Sequence, residues 1–206
     1  MKIIDCVQKS DEWFQARLVI PTTSRFSDIV TSKGEPSKSA TKYIDELLAE
    51  WIAGKPIDQR NPTQWMEHGT ETEAEARKTY EFIACETVLE VGFCTSDDGS
   101  VGCSPDGLIR EDGGLEIKCP MGKTLIEYYR TGFPSGYKAQ VQGSLWITGR
   151  EWWDFMAYHE EMTSFIVRVE PDEVFIKKLS EQMEIFNAKL EAQKKLLEGW
   201  KIEKTL

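Results

Sequence analysis

The sequence predicts an α/β (α+β) fold, a central mixed sheet flanked by helices on both faces. Three features carry that expectation. Helical spacing of apolar residues dominates positions 10–84, short turn-bounded apolar segments fill 87–120, and two helices, two strands and a long helix follow to 200. At 206 residues, with no internal repeat and no long linker, the chain has the size of one domain with a full core, assigned to residues 1–206.

Each element has a local reason. In "SDEWFQARLVI", 10–20, Ser10 and Asp11 are available caps, and Trp13, Phe14 and Leu18 recur at helical spacing. Thr22 and Thr23 offer a cap to a second short helix. "TSKGEPSKSATK", 31–42, gathers Gly, Pro, Ser and three lysines and reads as an exposed mobile loop. A helix over about 40–53 stops at Gly54. Asn61-Pro62 opens a long helix through "TQWMEHGTETEAEARKTYEFIAC", with Gly69 as its weak point. "TVLEVGFCT", "SVGCSPDGLI" and "GLEIKCP" are strand-like and separated by the turns "SDDG" and "EDGG". Helical period returns in "KTLIEYYRTG" and "SGYKAQVQGSLWITG", and "EWWDFMAYH" and "TSFIVRVE" read as strands. Phe175, Leu179, Met183, Phe186, Leu190 and Leu197 then form one apolar stripe on a long helix, the pattern of core packing.

Net charge is −10. That opposes a general nucleic-acid coat, because phosphate binding wants a basic footprint. It leaves room for an enzyme acting on nucleic acid, since carboxylates that hold divalent cations count as negative in the sum. The five cysteines are odd in number and include no CxxC pair, which argues against a disulfide framework and a structural zinc site and predicts a reducing cytoplasm. No apolar run nears the roughly 20 residues that span a bilayer, and the first residues lack a signal-peptide pattern.

The densest chemistry lies in "CSPDGLIREDGGLEIKCP", 103–120. Residues two apart on a strand share a face, so Glu116 and Lys118 are neighbours while Ile117 points away. The "REDGG" turn folds the chain back and sets Asp106 beside Glu116. Two carboxylates that close repel unless a cation lies between them, and a hard divalent ion with oxygen ligands meets that need. Lys118 there can polarise a water and offset charge building on phosphorus. The plain alternative is a solvated polar hairpin with Lys118 as a salt-bridge partner. The apolar flanks Leu108, Leu115 and Ile117, with Cys103 and Cys119, oppose it, because buried charge needs a reason.

"SPDGL", "GLEIKCP" and "YKAQVQGSLWITG", with "EWFQARL…TTS" and "HGTETEAEAR" before them, resemble in the same order the phage lambda exonuclease (YqaJ-type viral recombinase) family, a branch of the PD-(D/E)xK nucleases. The resemblance spans residues 10–160, and it is weakest over 31–60 and in the C-terminal helix. It implies a restriction-endonuclease-like core at about 10–160, with the C-terminal strand and long helix at 161–200 completing the domain. It further implies that Asp106, Glu116 and Lys118 are catalytic, that Asp106, Glu116 and the Ile117 carbonyl hold Mg2+, and that Glu73 reaches the metal, directly or through water. Glu71 and Glu75 lie within two residues of Glu73 and share its claim, and Glu73 with Arg77 also has the spacing of a surface ion pair. Two ions are expected, with Mn2+ able to substitute.

The same resemblance puts Gln140, ahead of Gln142, near the scissile and terminal phosphates. It assigns Arg17, Ser24 and Ser104, with Gln140, to a 5′-phosphate at a double-stranded DNA end. Arg supplies a fork to phosphate oxygens, and Ser24 adds a hydroxyl near a helix start. Met66, with Trp65 beside it, takes the place of a strand-separating wedge, although Met and Trp on a helix are more often core. The implied partners are two further copies in a homotrimeric ring and a single-strand annealing protein, in a bacterial cytoplasm, with a phage or prophage gene as source. Lys33, Lys38 and Lys42 are available to touch the duplex. The implied activity is Mg2+-dependent 5′→3′ digestion of one strand of linear duplex DNA, leaving a 3′ overhang. An endonuclease or junction resolvase would use the same carboxylates without end specificity, and a non-catalytic DNA-end-binding adaptor would keep only the fold.

Overall fold

The computed structural model describes residues 1–57 and 64–200, with backbone only for 64–71. Among them β1 is Lys2–Ile4, α1 Asp11–Ala16, α2 Ala40–Ala53, α3 Gln64–Ala84, β2 Val88–Leu89, β3 Phe93–Thr95 and β4 Gly102–Cys103. Then come β5 Gly107–Ile109, β6 Gly113–Lys118, α4 Gly122–Thr131, α5 Lys138–Thr148, β7 Trp152–His159, β8 Met162–Val169 and α6 Glu173–Leu196. Short 3-10 turns cover Thr23–Asp28, Ser135–Tyr137 and Glu198–Trp200.

Five strands form a mixed sheet in the order β2-β5-β6-β7-β8, parallel only between β6 and β7. The α4–α5 crossover makes that parallel step, since two strands pointing the same way need a long return. One sheet face carries Leu115, Ile117, Trp152, Met156 and Tyr158 against Ala76 and Tyr80 of α3. The other carries Leu108, Trp153, Phe155 and Ala157 against Leu125 and Tyr128 of α4 and Val141 and Leu145 of α5. The predicted central mixed sheet flanked by helices is what the chain forms.

Three strands lie elsewhere. β1-β3-β4 make a separate antiparallel sheet, so "TVLEVGFCT" and "SVGCSPDGLI" are each split between two sheets where one strand apiece was expected. The breaks fall at Val91-Gly92 and at Ser104-Pro105-Asp106; Pro105 has no N–H to give a ladder.

The helices start and stop on the expected residues in most cases. Ser10 Oγ accepts from Trp13 N at 3.2 Å and caps α1, which ends early, at Ala16, because Val19 sits at φ 63, a conformation a β-branched residue resists. Thr22 precedes the 3-10 turn but gives no side-chain cap bond. α2 closes on Gly54 at φ 64. The loop before α2 is folded into turns by Thr31 N to Glu35 O at 2.8 Å and Ser37 N to Ile29 O at 2.8 Å. The Asn61-Pro62 helix start lies outside the described residues.

A second core forms behind α5. Phe175, Leu179, Met183, Phe186 and Leu190 of α6 pack with Phe26, Ile29 and the α2 residues Tyr43, Ile44, Leu47 and Leu48. Gly143 makes this possible: a Cβ there would stand 2.6 Å from the Phe26 ring and 3.1 Å from Thr23 Cγ2. α5 therefore packs directly on the Thr23–Asp28 turn, which brings the two candidate binding regions onto adjoining elements.

Candidate active site and anion pocket

The β5–β6 pairing sets the first cluster. Gly107 faces Leu115, and continuing that register by one step places Asp106 opposite Glu116. Asp106 N donates to Leu115 O at 3.1 Å, and Asp106 Oδ2 accepts from Ile117 N at 2.6 Å. Glu116 is 3% exposed and turns to the α5 face. There its Oε1 accepts from Gln140 Nε2 at 2.6 Å and from Lys118 Nζ in close contact. Gln142, two residues on, turns elsewhere: it donates to Glu170 O at 2.8 Å and accepts from Asp172 N at 2.7 Å. Its amide ties α5 to the start of α6, while the Gln140 amide belongs to the cluster.

Electrostatics follow from this crowding. Enclosure by protein, then repulsion from Glu116, raises the Asp106 carboxyl well above the usual carboxylate range. For Lys118, enclosure pushes downward, but the facing carboxylates of Glu116 and Asp106 outweigh it and hold the ammonium more firmly charged than usual. Two acids against one ammonium leave the pocket short of positive charge. The donors are all oxygen, and their repulsion is the kind a hard divalent cation relieves, so these residues fit Mg2+.

Glu73 stands on α3 at the edge of the cluster. Its Oε1 accepts from Arg77 NH2 at 3.4 Å, and its Oε2 accepts from Lys9 Nζ at 3.4 Å. Arg77 Nε donates to the Asp106 carbonyl at 3.1 Å, and Arg77 NH1 pairs with Glu90 at 2.8 Å. Among the described residues no three His, Cys, Asp or Glu side chains meet as a ready metal cage. Glu73 stands beside the Asp106–Glu116 pair, close enough for its charge to act on Asp106 and in the same cleft. A cleft of about 810 Å³ opens here, lined by Gln8, Lys9, Glu73, Arg77 and Asp106.

The second cluster surrounds Arg17. Its NH1 donates to Ser104 Oγ at 2.7 Å and its NH2 to Thr22 Oγ1 at 3.4 Å, and Thr22 Oγ1 lies 3.3 Å from the exposed Ser24 Oγ. The guanidinium stacks 4.0 Å over the Trp13 ring, whose Nε1 donates to Ser104 Oγ at 3.0 Å. Enclosure lowers the Arg17 pKa to about 10, which leaves it charged at neutral pH. Among the described residues no carboxylate forms a salt bridge with it. Glu50 lies in the same pocket and acts on Arg17 through space without pairing with it. A part-buried guanidinium bonded to hydroxyls and in no salt bridge suits an anion. Arg17, Ser24 and Ser104 come together; Gln140 stands with Glu116 instead.

Several participants escaped the sequence reading. Trp13 is one helical turn before Arg17, a spacing that can signal stacking on a cation. Thr22 was read as a cap. Gln8 Nε2 donates to Val91 O at 2.9 Å and to Pro105 O at 2.8 Å and braces the segment leading into Asp106, with no local signal in the sequence. Met66 and Trp65 lie outside the described side chains. Lys33, Lys38 and Lys42 are exposed around the start of α2.

The fold and the paired clusters define a class, the mixed α/β architecture of the alkaline exonucleases. The chain shares a TM-score of 0.83 and 36% identity with LHK-Exo in complex with dAMP, covering 91% of this chain and 96% of that one. A second structure of LHK-Exo, an alkaline exonuclease from Laribacter hongkongensis, gives 0.83 and 35% over 92% and 96%. A phage-related exonuclease from Haemophilus somnus shares the fold alone, with a TM-score of 0.59 and 13% identity over 84% and 96%. A comparison with curated proteins gave no match. Residues 12–151 match the YqaJ-like viral recombinase domain, and the chain belongs to that family. No described helix is long and apolar enough to cross a membrane.

Proposed function

We propose that this chain is a Mg2+-dependent 5′→3′ exonuclease that digests one strand of linear double-stranded DNA and leaves a 3′ single-stranded overhang for annealing. The observation that carries the reading is the tripeptide Ser104-Pro105-Asp106. Its first residue belongs to the Arg17 anion pocket and its last to the carboxylate cluster. A terminal phosphate held by Arg17, Ser24 and Ser104 is thereby kept at a set distance from the scissile bond.

Asp106, Glu116 and the Ile117 carbonyl would hold Mg2+, with Glu73 reaching it directly or through water. Bound there, the ion supplies charge neutralisation and a more acidic water. Lys118 orients that water and meets the negative charge that develops on phosphorus. Gln140 donates to Glu116 and keeps its carboxylate aimed. Arg17 and the hydroxyls grip the end, so a phosphorylated 5′ end is preferred. Met66 and Trp65 are assigned to strand separation.

LHK-Exo, which shares 36% identity, is named an exonuclease, and this supports the end-dependent reading over an endonuclease. A homotrimeric ring with its basic side chains on the inner wall would reconcile DNA binding with a net charge of −10. A single-strand annealing protein is the partner that a 3′ overhang calls for. The test is digestion of linear duplex with 5′-phosphate or 5′-hydroxyl ends and of closed circular DNA, in Mg2+, Ca2+ or chelator. Cutting of the phosphorylated linear duplex in Mg2+ alone is expected. Nicked circles would favour an endonuclease or resolvase, and binding without cutting would favour an adaptor.

A further inference from the structure

Asp154 is an acid on an apolar sheet face. Its neighbours along β7 on that face are Trp152 and Met156, it looks across to α3, and it is 4% exposed. A buried carboxylate is costly unless its oxygens are hydrogen-bonded, and here both are, by three bonds. Arg168, its cross-strand partner on β8, donates from Nε to Oδ1 and from NH2 to Oδ2, each at 2.9 Å, and stacks 3.6 Å over the Trp152 ring. Tyr80 of α3 donates its hydroxyl to Oδ2 at 2.7 Å. Apolar residues of similar size would serve stability as well or better, so stability alone does not account for the trio.

What the trio does hold is one helix against one strand. Tyr80 follows Arg77 by three residues and Glu73 by seven, so all three share a face of α3. Toward its N-terminal end that face meets the carboxylate cluster, where Arg77 holds the Asp106 carbonyl and Glu73 together. At Tyr80 it is pinned to the sheet interior. Packing of Ala76 and the Tyr80 ring is non-directional and tolerates sliding. A slip of one residue moves a helix by about 1.5 Å, and a working site tolerates about 0.5 Å. The hydroxyl–carboxylate bond is the directional contact that prevents it.

We infer that Tyr80, Asp154 and Arg168 are positioning residues: they fix α3 on β7 and so set where Glu73 and Arg77 stand relative to Asp106. The inference rests on the nuclease reading of that cluster. Tyr80→Phe keeps the ring and removes the hydroxyl that bonds Asp154. Asp154→Asn keeps an acceptor for Tyr80 but sets its amide NH2 against one Arg168 N–H, so it loses half of the fork as well as the charge.

On 5′-phosphorylated linear duplex, Tyr80→Phe should lower kcat about tenfold with KM within about twofold. It should also weaken Mn2+ binding severalfold, read by electron paramagnetic resonance without DNA. Asp154→Asn should keep both within about threefold, because the pin survives. Thermal unfolding is measured alongside. A lower Tm with kcat and Mn2+ affinity kept would mark a purely structural trio and overturn the inference, as would an Asp154→Asn loss equal to that of Tyr80→Phe. Wild-type protein that leaves every duplex uncut would remove the nuclease reading instead. The Mn2+ arm, which needs no turnover, would then still decide the positioning.

Discussion

The two clusters are opposites built from opposite materials. Asp106, Glu116 and Lys118 come from one hairpin, and their side chains leave an excess of negative charge around a single ammonium. Trp13, Arg17, Thr22, Ser24 and Ser104 come from three separate segments and leave a guanidinium bonded to hydroxyls and stacked on a ring, with Glu50 in the same pocket but in no salt bridge with it. The first wants a cation and the second an anion. The proposed substrate, a nucleic-acid end carried with a divalent ion, answers both at once.

That contrast can be broken from either side. The largest expected effect is Glu116→Ala or Asp106→Ala: hydrolysis falls to the background of a chelated control while circular dichroism and duplex-end binding persist. Retained cutting would remove the carboxylate pair from the chemistry. Next, Lys118→Ala should cost roughly 3 kcal/mol of transition-state stabilisation, about a hundredfold in kcat, with little change in KM. A rise in KM alone would make Lys118 a substrate anchor. On the other side, Arg17→Ala should shrink the preference for 5′-phosphate over 5′-hydroxyl ends by about 1.5–3 kcal/mol, roughly ten- to a hundredfold in the ratio of kcat/KM. Equal loss on both ends would contradict a phosphate grip. The smallest effect belongs to Ser24→Ala, about 1 kcal/mol in the same ratio, since one neutral hydroxyl is lost at an exposed position.

The same contrast explains what could be read from the sequence. A hairpin has a period of two and a turn of known kind, so Glu116 and Lys118 on one face, with Asp106 opposite, follow from spacing alone. α6 declared its buried stripe for the same reason, since one period held over six turns. Arg17, Ser24 and Ser104 carry no such arithmetic and were grouped only through the family resemblance, and Trp13 and Thr22 were missed because each has an ordinary local role. β1 is three residues long, too short to show alternation. The splitting of two apparent strands between two sheets is a tertiary choice, made where Gly92 and Pro105 interrupt ladders whose apolar pattern continues. Tyr80, Asp154 and Arg168 lie 74 and 14 residues apart, beyond any periodic signal.

Pro105 joins the two grips by covalent chain rather than by packing. Packed elements drift with temperature, solvent and neighbouring substitutions, whereas a tripeptide has a fixed reach. One inserted residue would lengthen it by about 3.3 Å. Under the proposed exonuclease reading, the spacing between end grip and scissile bond is therefore set by chain length, and an insertion between Ser104 and Asp106 would shift the position of the cut.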